Sequence, residues 1–388
     1  MRELDGSDAG GQFLRSALSL AAIRGDPVRI ENVRGDRSTP GLRPQHLAVV
    51  ETLADICDAD IAGADGSSPD VGSETVTFEP GLGAVERSGS SRSSDDSTER
   101  EASTTTEAAI PGGAYDVDLG TAGSLTLLFD AVLPLATRLE APLTLTATGG
   151  TDVKWSPTLD YYRRVKLPLL RRFGLQAALS VDRRGFYPAG GGDVTLYLAP
   201  SSLDPIRLDE RGTLHGVRLY STESASLADQ NVAERQLRAA MERLEGVVVN
   251  SEQDDDLVTE RVVTTARSDS PGSAIVCRLD FETGIAGTDV LGERGKPAER
   301  VGEEAATAAV RLVAGTAPVD RHLADQLLVP LALAGGRVRV PAVTDHVEAS
   351  LSLLDAFGHN LVCEPVPATD DGSEPVDSDS TDHLVTAT

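Results

Sequence analysis

Residues Arg321 to Leu351 read RHLADQLLVPLALAGGRVRVPAVTDHVEASL, which spells a helix, a strand and the opening of a second helix. Leu323, Leu327, Leu328, Leu331 and Leu333 recur at helical spacing, and the Gly335-Gly336 pair closes the run. Asp325 and Gln326 stand as polar residues inside that apolar segment. Arg337 to Val340 alternates as a strand. Thr344-Asp345-His346 then opens the next helix, where unpaired backbone N–H groups favour an anion. Two readings of His346 stand side by side. One is a surface histidine on a capped helix; the other is an imidazole placed to attack phosphorus, with Asp325 orienting it or a cation.

The pattern recurs elsewhere. LLRRFG at Leu169 to Gly174 is matched by LLDAFG at Leu353 to Gly358, each followed by a short apolar segment, so the chain carries internal copies. A helix-strand-helix-strand unit is expected near residues 12–79, 113–199 and 320–365. Between the second and third lies a different segment, with strands expected at Leu214 to Tyr220 and Ala274 to Phe281 and helices near Val232 to Leu244 and Arg300 to Ala314. The expected fold class is α/β (α+β). Residues 1–209 plus 318–388 form the main domain, and 210–317 a smaller inserted α/β domain. Ser88 to Ala109, rich in Ser, Thr, Asp and Glu, has no apolar face to bury and is expected as a disordered surface loop (about 86–110). The acidic residues 366–388 are expected as a frayed tail.

A chain of 388 residues with 40% hydrophobic content can build two cores. Its formal charge is −26, and only three of its 35 cationic residues are lysines. Such acidity suits a halophilic interior, since near 1 M salt the screening length is about 3 Å and self-repulsion is quenched. Cys57, Cys277 and Cys363 are too scattered for a disulfide framework or a CxxC metal site. With no apolar leader and no apolar run of about 18 residues, the expected location is cytoplasmic.

Several stretches bear on chemistry. LDGSDAGGQ, residues 4–12, leads into a helix expected from Phe13 to Arg24. A Gly-rich turn there can hold phosphate or be an ordinary turn, and it matches neither GxxxxGK[ST] nor GxGxxG. After a strand at Val28 to Val33, RGDRSTPGLRPQH gathers Arg34, Arg37 and Arg43. They form either a clamp for phosphates or an RNA end, or a solvated loop neutralised by neighbours such as Asp36. Pro157 to Phe173 reads as a basic helix carrying Arg163, Arg164, Lys166, Arg171 and Arg172. Its cations suit a solvated face or a nucleic-acid backbone. Gly292 to Lys296 imitates part of a nucleotide loop but lacks the following Ser or Thr.

Taken together, LDGSDAGGQFLRSALSL, the segment Val33 to His46, GTAGSLTLL, GGTD, RRGFYPAGGG at Arg183 to Gly192, and HLADQLLVPLALAGG resemble the RNA 3′-terminal phosphate cyclase family over nearly the whole chain. The resemblance implies three βαβαββ-type units plus the inserted α/β domain. It implies a ligase-type enzyme that uses ATP to adenylate its own histidine and transfers AMP to an RNA 3′-phosphate. The neighbouring 2′-OH then closes a 2′,3′-cyclic phosphate, so that pyrophosphate and AMP are released. By position it assigns the adenylated histidine to His346 and further catalytic roles to Arg15, Arg34 and Asp325. It assigns ATP binding to Asp8, Asp130, Pro157, His322, Asp325 and Gln326, with Pro157 and His322 flanking the adenine. Arg37 and Arg43 fall to RNA or phosphate, and a divalent cation, Mg or Mn, to Asp8 or Asp325. The chain departs from the family pattern at three of these positions. Asp8 stands in a shortened turn where Glu is usual, Asp130 where Gln is usual, and His322 where Tyr is usual. Two rival readings are an inactive cyclase-like RNA-processing scaffold, against which His346 speaks, and an enolpyruvyl-transferase-like enzyme, which should lack both the His346 block and RRGFYPAGGG.

Overall fold

Strands of three to seven residues cannot bury a core alone, so each must share helices with its neighbours. The computed structural model, which describes residues 1–81, 109–120, 122–248, 258–366 and 381–387, shows the chain solving this three times with one wiring. The first unit is β1 (Arg2–Asp5), α1 (Gly11–Arg24), β2 (Val28–Glu31), α2 (Pro44–Cys57), β3 (Asp60–Ala62) and β4 (Val76–Glu79). Its sheet order is β1-β2-β4-β3, with β1 and β2 parallel and the remaining pairs antiparallel. The second unit starts with β5 (Gly113–Asp118), α3 (Leu125–Val132), extended by a 3₁₀ turn at Leu133–Thr137, and β6 (Leu143–Gly149). It continues with α4 (Leu159–Tyr161), a π-helical turn at Tyr162–Lys166, α5 (Leu167–Arg171), β7 (Ala177–Arg183) and β8 (Gly192–Leu198). Its order, β5-β6-β8-β7, repeats the first.

The third unit opens with β9 (Ile206–Leu208) and is at once interrupted by β10 (Leu214–Ser224), α6 (Val232–Val248), β11 (Val258–Ala266), β12 (Ser273–Phe281), β13 (Ile285–Leu291) and α7 (Ala298–Ala314). It resumes as α8 (Arg321–Gln326), α9 (Leu328–Ala334), β14 (Gly336–Val340), α10 (Asp345–Ala356), β15 (Leu361–Pro365) and β16 (His383–Ala387). Its order β9-β14-β16-β15 is again the same, with β9 and β14 parallel. The interrupting segment forms its own sheet, β11-β10-β12-β13. A separate apolar cluster accompanies it, in which Leu219, Ile275, Cys277 and Leu279 face Ala305 and Ala309 of α7.

Two expectations for the third unit need correction. It begins at residue 206 rather than 320, and its last strand lies in the supposed frayed tail. β16 pairs antiparallel with both β14 and β15, so it is an inner strand with Val385 fully buried. The acidic residues ahead of it hid a five-residue strand that satisfies the ladder groups on both neighbours. The Ser-rich loop expected at Ser88 to Ala109 lies outside the described residues, apart from Ala109.

The expected basic helix is also different. It is broken by the π turn, and its first three cations, Arg163, Arg164 and Lys166, pack onto neighbours. Arg163 Nε sits 2.7 Å from Asp160 Oδ1, and Lys166 Nζ 2.6 Å from Asp130 Oδ1. Arg164 lies 4.8 Å from the Tyr220 ring centroid, and Arg171 Nε donates to the Ala177 carbonyl. Its start is a packed segment and not a solvated face, because Tyr161 and Tyr162 are fully buried and Arg164 lies over Tyr220 of β10, whereas Arg171 and Arg172 at its end are exposed.

The joint between the inserted segment and the rest is polar and specific. Arg184 is clasped by Asp152 at 2.9 Å and by Asp160, which also accepts from Thr222 of β10 at 2.9 Å. Burial alone would raise the Asp160 carboxyl, yet Arg184 and Arg163 hold it down at about 2. Asp320 caps α8 by accepting from His322 N and Leu323 N, while its second oxygen accepts from Gly287 N of β13. Tyr161 Oη donates to the same carboxylate at 2.7 Å. These bonds fix β10 and β13 against the second and third units.

Candidate active site

The first helix of each unit contributes to one cleft. Gln12 and Arg15 come from α1, Asp130 from α3, Asp325 and Gln326 from α8, and Lys166 from the π turn. Equivalent helices meet here because α1 is buried on almost every side and packs against α2, α3 and α10. The expected helix at Arg321 in fact breaks at Leu327, separating α8 from α9. That break puts Asp325 and Gln326 in the last turn of α8, turned into the cleft. The two polar residues that sat awkwardly in an apolar run therefore face the cavity.

Arg15 is nearly buried; desolvation lowers its guanidinium to about 10 while Asp130 and Asp325 oppose the shift, so it stays a cation at neutral pH. Burial raises the Asp325 carboxyl, and His346, Lys166, a hydrogen bond from Gln12, and His322 pull it back. Asp325 thus lies within electrostatic reach of both histidines. The buried Gln326 Oε1 has no hydrogen-bond partner among the described residues, an acceptor left for a ligand.

His346 is exposed in the first turn of α10, where Thr344 caps the helix by accepting from Val347 N at 3.3 Å. It faces the N-terminus of α1 across Gly10. A β-carbon on Gly10 would lie 3.6 Å from Arg37 Nη2 and 4.0 Å from His346 Cε1. One on Gly11 would lie 2.5 Å from His46 Nε2 and 3.1 Å from Arg15 Nη1. The Gly-rich turn therefore lets two histidines and two arginines close on a helix N-terminus, an anion site by its backbone dipoles.

The clustering expected of Arg34, Arg37 and Arg43 is present. Burial lowers the Arg34 guanidinium, and Arg43 and Arg37 lower it further. Arg34 itself adopts φ 57° and uses Nη1 on the carbonyls of Thr39 and Gly41, each at 3.0 Å, so part of its fork braces its own loop. Asp36 does not neutralise the arginines by an ion pair among the described residues. It hydrogen-bonds Asp8, whose carboxyl is raised by that contact and by the neighbouring charge.

At the other end, Pro157 is half-buried and its carbonyl accepts from Thr126 Oγ1 at 2.9 Å. His322 is exposed with its ring edge-on to Tyr161, centroids 6.4 Å apart. The half-buried Asp289 of β13 accepts from Thr158 N at 2.8 Å and lies within electrostatic reach of His322.

Reading the sequence did not single out three groups that the structure brings in: Gln12, Lys166 and His46. His46 Nδ1 accepts from Arg43 N at 3.2 Å, and burial together with Arg15, Arg34 and Arg43 lowers its pKa to about 3, so its ring is neutral. A histidine three residues after the N-cap Arg43 of a Pro-started helix was the available signal. Among the described residues, no group of three or more His, Cys, Asp or Glu side chains is arranged to hold a metal.

Three equivalent helices build the cleft, and a histidine at a helix N-terminus, arginines and a half-buried carboxylate gathered about it suit an enzyme that handles phosphate groups. The comparisons narrow the class. Residues 7–360 match the family described as RNA 3′-terminal phosphate cyclase. The chain is 46% identical to the RNA 3′-terminal phosphate cyclase of Halobacterium salinarum over 96% of its own length and 98% of that protein. It is 36% identical to the Pyrococcus furiosus protein of the same name, over 91% and 92% of the two chains. To the Pseudomonas fluorescens protein so named it is likewise 36% identical, over 92% of each. The chain belongs to the RNA 3′-terminal phosphate cyclase family.

Proposed function

We propose that this protein converts an RNA 3′-terminal phosphate into a 2′,3′-cyclic phosphate at the expense of ATP, with His346 carrying AMP between the two substrates. The observation that carries the reading is the position of His346, exposed at the N-terminus of α10 and facing Gly10 and Arg37. A neutral imidazole nitrogen attacks the α-phosphorus of ATP, the bond to the β-phosphate breaks, and pyrophosphate leaves. An oxygen of the RNA 3′-phosphate then attacks the same phosphorus and breaks the P–N bond, so AMP passes to the RNA end. The 2′-hydroxyl attacks the activated 3′-phosphorus, AMP leaves with the electron pair of the anhydride bond, and the hydroxyl proton is released. Adenylation supplies the leaving group that a phosphate monoester lacks.

Arg15, Arg34 and Arg37 supply the positive charge that in-line displacement at phosphorus requires, and the half-buried Asp325 orients the imidazole. Pro157 and His322 form the two sides of an adenine slot, Gln326 offers its unpaired oxygen to the nucleotide, and Asp130 lines the wall. Arg43 serves the RNA phosphate. A divalent cation, Mg or Mn, fits Asp8 with its partner Asp36, since two carboxyls held together are relieved by a cation that the phosphates of ATP also bind; its chemistry there is to neutralise phosphate charge. No helix among the described residues is long and apolar enough to cross a membrane, in keeping with a cytoplasmic enzyme.

The test is incubation with ATP labelled in the α-phosphate, followed by addition of 3′-phosphorylated RNA. Wild-type protein should take up label and lose it as the cyclic end appears, and His346→Ala should take up none. Full labelling of His346→Ala would overturn the assignment, and a wild-type protein that never labels would favour the scaffold reading.

A further inference from the structure

One edge of the molecule takes no part in the site just described. The loop Val153 to Ser156 of the second unit meets the turn Gly292 to Lys296 after β13, where Lys154 Nζ lies 3.3 Å from Glu293 Oε1. The loop carries Trp155, the chain's single tryptophan, 95% exposed and held at φ 62°. A bulky residue in the left-handed region is a backbone outlier, and such outliers persist only where the surroundings enforce them. Here they do. Thr151 N donates to Gly185 O at 2.8 Å, Arg184 grips Asp152, Ser156 Oγ donates to Val153 O at 3.0 Å, and Asp289 holds Thr158 N. The indole is thus pushed into solvent by a rigid frame, in a chain with only 4% aromatic residues.

The facing turn adds charge. Its tip is Arg294-Gly295, with Gly295 at φ 86° and Lys296 N donating to Glu293 O at 3.0 Å. Arg294 is exposed and, among the described residues, engaged in no ion pair. Two of the chain's three lysines, Lys154 and Lys296, flank this edge, held by Glu293 and Glu304 respectively. The edge also runs on from the residues proposed to flank the adenine, since Trp155 stands two positions before Pro157 and Asp289 of β13 lies within electrostatic reach of His322. Lys154 sits at Glu293 and Thr158 at Asp289, four residues apart in sequence and so at most about 13 Å apart along the chain.

We propose that Trp155 stacks on a base near the 3′ end of the RNA and that Arg294 takes a neighbouring phosphate, so the inserted domain contributes to RNA binding. The chemistry favours this contact. A chain of charge −26 repels a polyanion, and salt high enough to quench that repulsion also weakens phosphate contacts. Stacking is uncharged, survives salt, and accepts any base, because every base offers a π face. The inference rests on the RNA-cyclase reading above, and its test separates the two.

Because Trp155 is the only tryptophan, its emission reports on this one site. Titration of the wild-type protein in molar KCl, without ATP, with a short 3′-phosphorylated RNA oligonucleotide should quench or shift the emission, whereas ATP alone should not. Trp155→Ala should raise the KM for RNA by roughly 5- to 150-fold, the loss expected for one stacked base. Trp155→Phe should recover most of that, and Arg294→Ala should raise the same KM and reduce its salt dependence. α-Labelling of His346 by ATP, measured in each variant, reports separately on the adenylation reading. The proposal is overturned if emission ignores RNA that the enzyme is turning over, if ATP alone produces the full change, or if Trp155→Ala leaves the KM for RNA untouched.

Discussion

Lys166 Nζ and Asp130 Oδ1 lie 2.6 Å apart, with the lysine side chain 4% and the carboxylate 15% exposed. The pair joins the π turn to α3 on the wall of the cleft, beside Arg15 and Asp325. A second carboxylate so close to Asp325 would repel it, and Lys166 cancels that charge. Removing one partner of a buried pair leaves an uncompensated ion, whereas removing both is far milder. Lys166→Met should therefore lower stability by about 3 kcal/mol and weaken ATP labelling. Adding Asp130→Gln to that variant should restore most of both. Thermal unfolding and labelling of the two variants decide it; a single variant as stable as the double would show that the pair contributes nothing.

Gly11 marks the closest approach in the site. A methyl group there would stand 2.5 Å from His46 Nε2 and 3.1 Å from Arg15 Nη1, and His46 is buried and cannot swing away. Gly11→Ala should lower the unfolding temperature, because forcing a methyl group against the buried His46 ring costs about 1–3 kcal/mol, more than the helix preference of alanine over glycine, up to about 1 kcal/mol, returns. It should lower His346 labelling at least about tenfold by displacing Arg15, which costs about 1.4 kcal/mol of transition-state stabilisation. Unaltered labelling would mean that Arg15 can be displaced without consequence.

The repeats and the site were legible in unequal measure. LLRRFG and LLDAFG do end the second helices of two units, α5 and α10, and so they revealed the repeated wiring. The first strand of the third unit escaped because β9 has three residues and is parted from its helix by more than a hundred. β16 escaped because an acidic stretch precedes it. In the site, Asp325 and Gln326 announced themselves as polar residues in an apolar run. Lys166 did not: in sequence it is one more cation among Arg163, Arg164, Arg171 and Arg172, and only packing shows that its partner, Asp130, lies one helix away in the same unit.

His46 makes acid stability a test of the site's electrostatics. Its pKa falls from the ordinary 6.5 to about 3 through burial and three arginines. Below pH 6.5 the unfolded chain binds a proton that the folded chain refuses, so the native state loses stability as the pH falls from 6.5 towards 3. At pH 5 the loss is about 2 kcal/mol. His46→Gln keeps an acceptor and removes the titration, so its stability relative to wild type should improve by that amount between pH 7 and pH 5. Urea unfolding at fixed KCl measures it. Parallel decline of both proteins would show that His46 takes up its proton without cost.

Salt acts on this enzyme in two opposing directions. RNA held through arginines binds more weakly as salt rises, with a slope in log affinity of roughly −0.7 for each phosphate neutralised. A chain of charge −26 in dilute buffer, by contrast, repels itself across a screening length of about 30 Å at 0.01 M, which strains the folded state. The reaction engages one RNA end, so few phosphates are neutralised, and the ionic loss is small beside the gain in folding. Buried pairs such as Arg184 with Asp152 and Asp160 are shielded from solvent ions and keep their strength. Cyclisation should therefore rise from dilute buffer to molar KCl, with the melting temperature rising alongside it. Measured together across a KCl series, a melting temperature that climbs while activity falls would mean that phosphate contacts dominate. Greatest activity in dilute buffer would overturn the balance argued here.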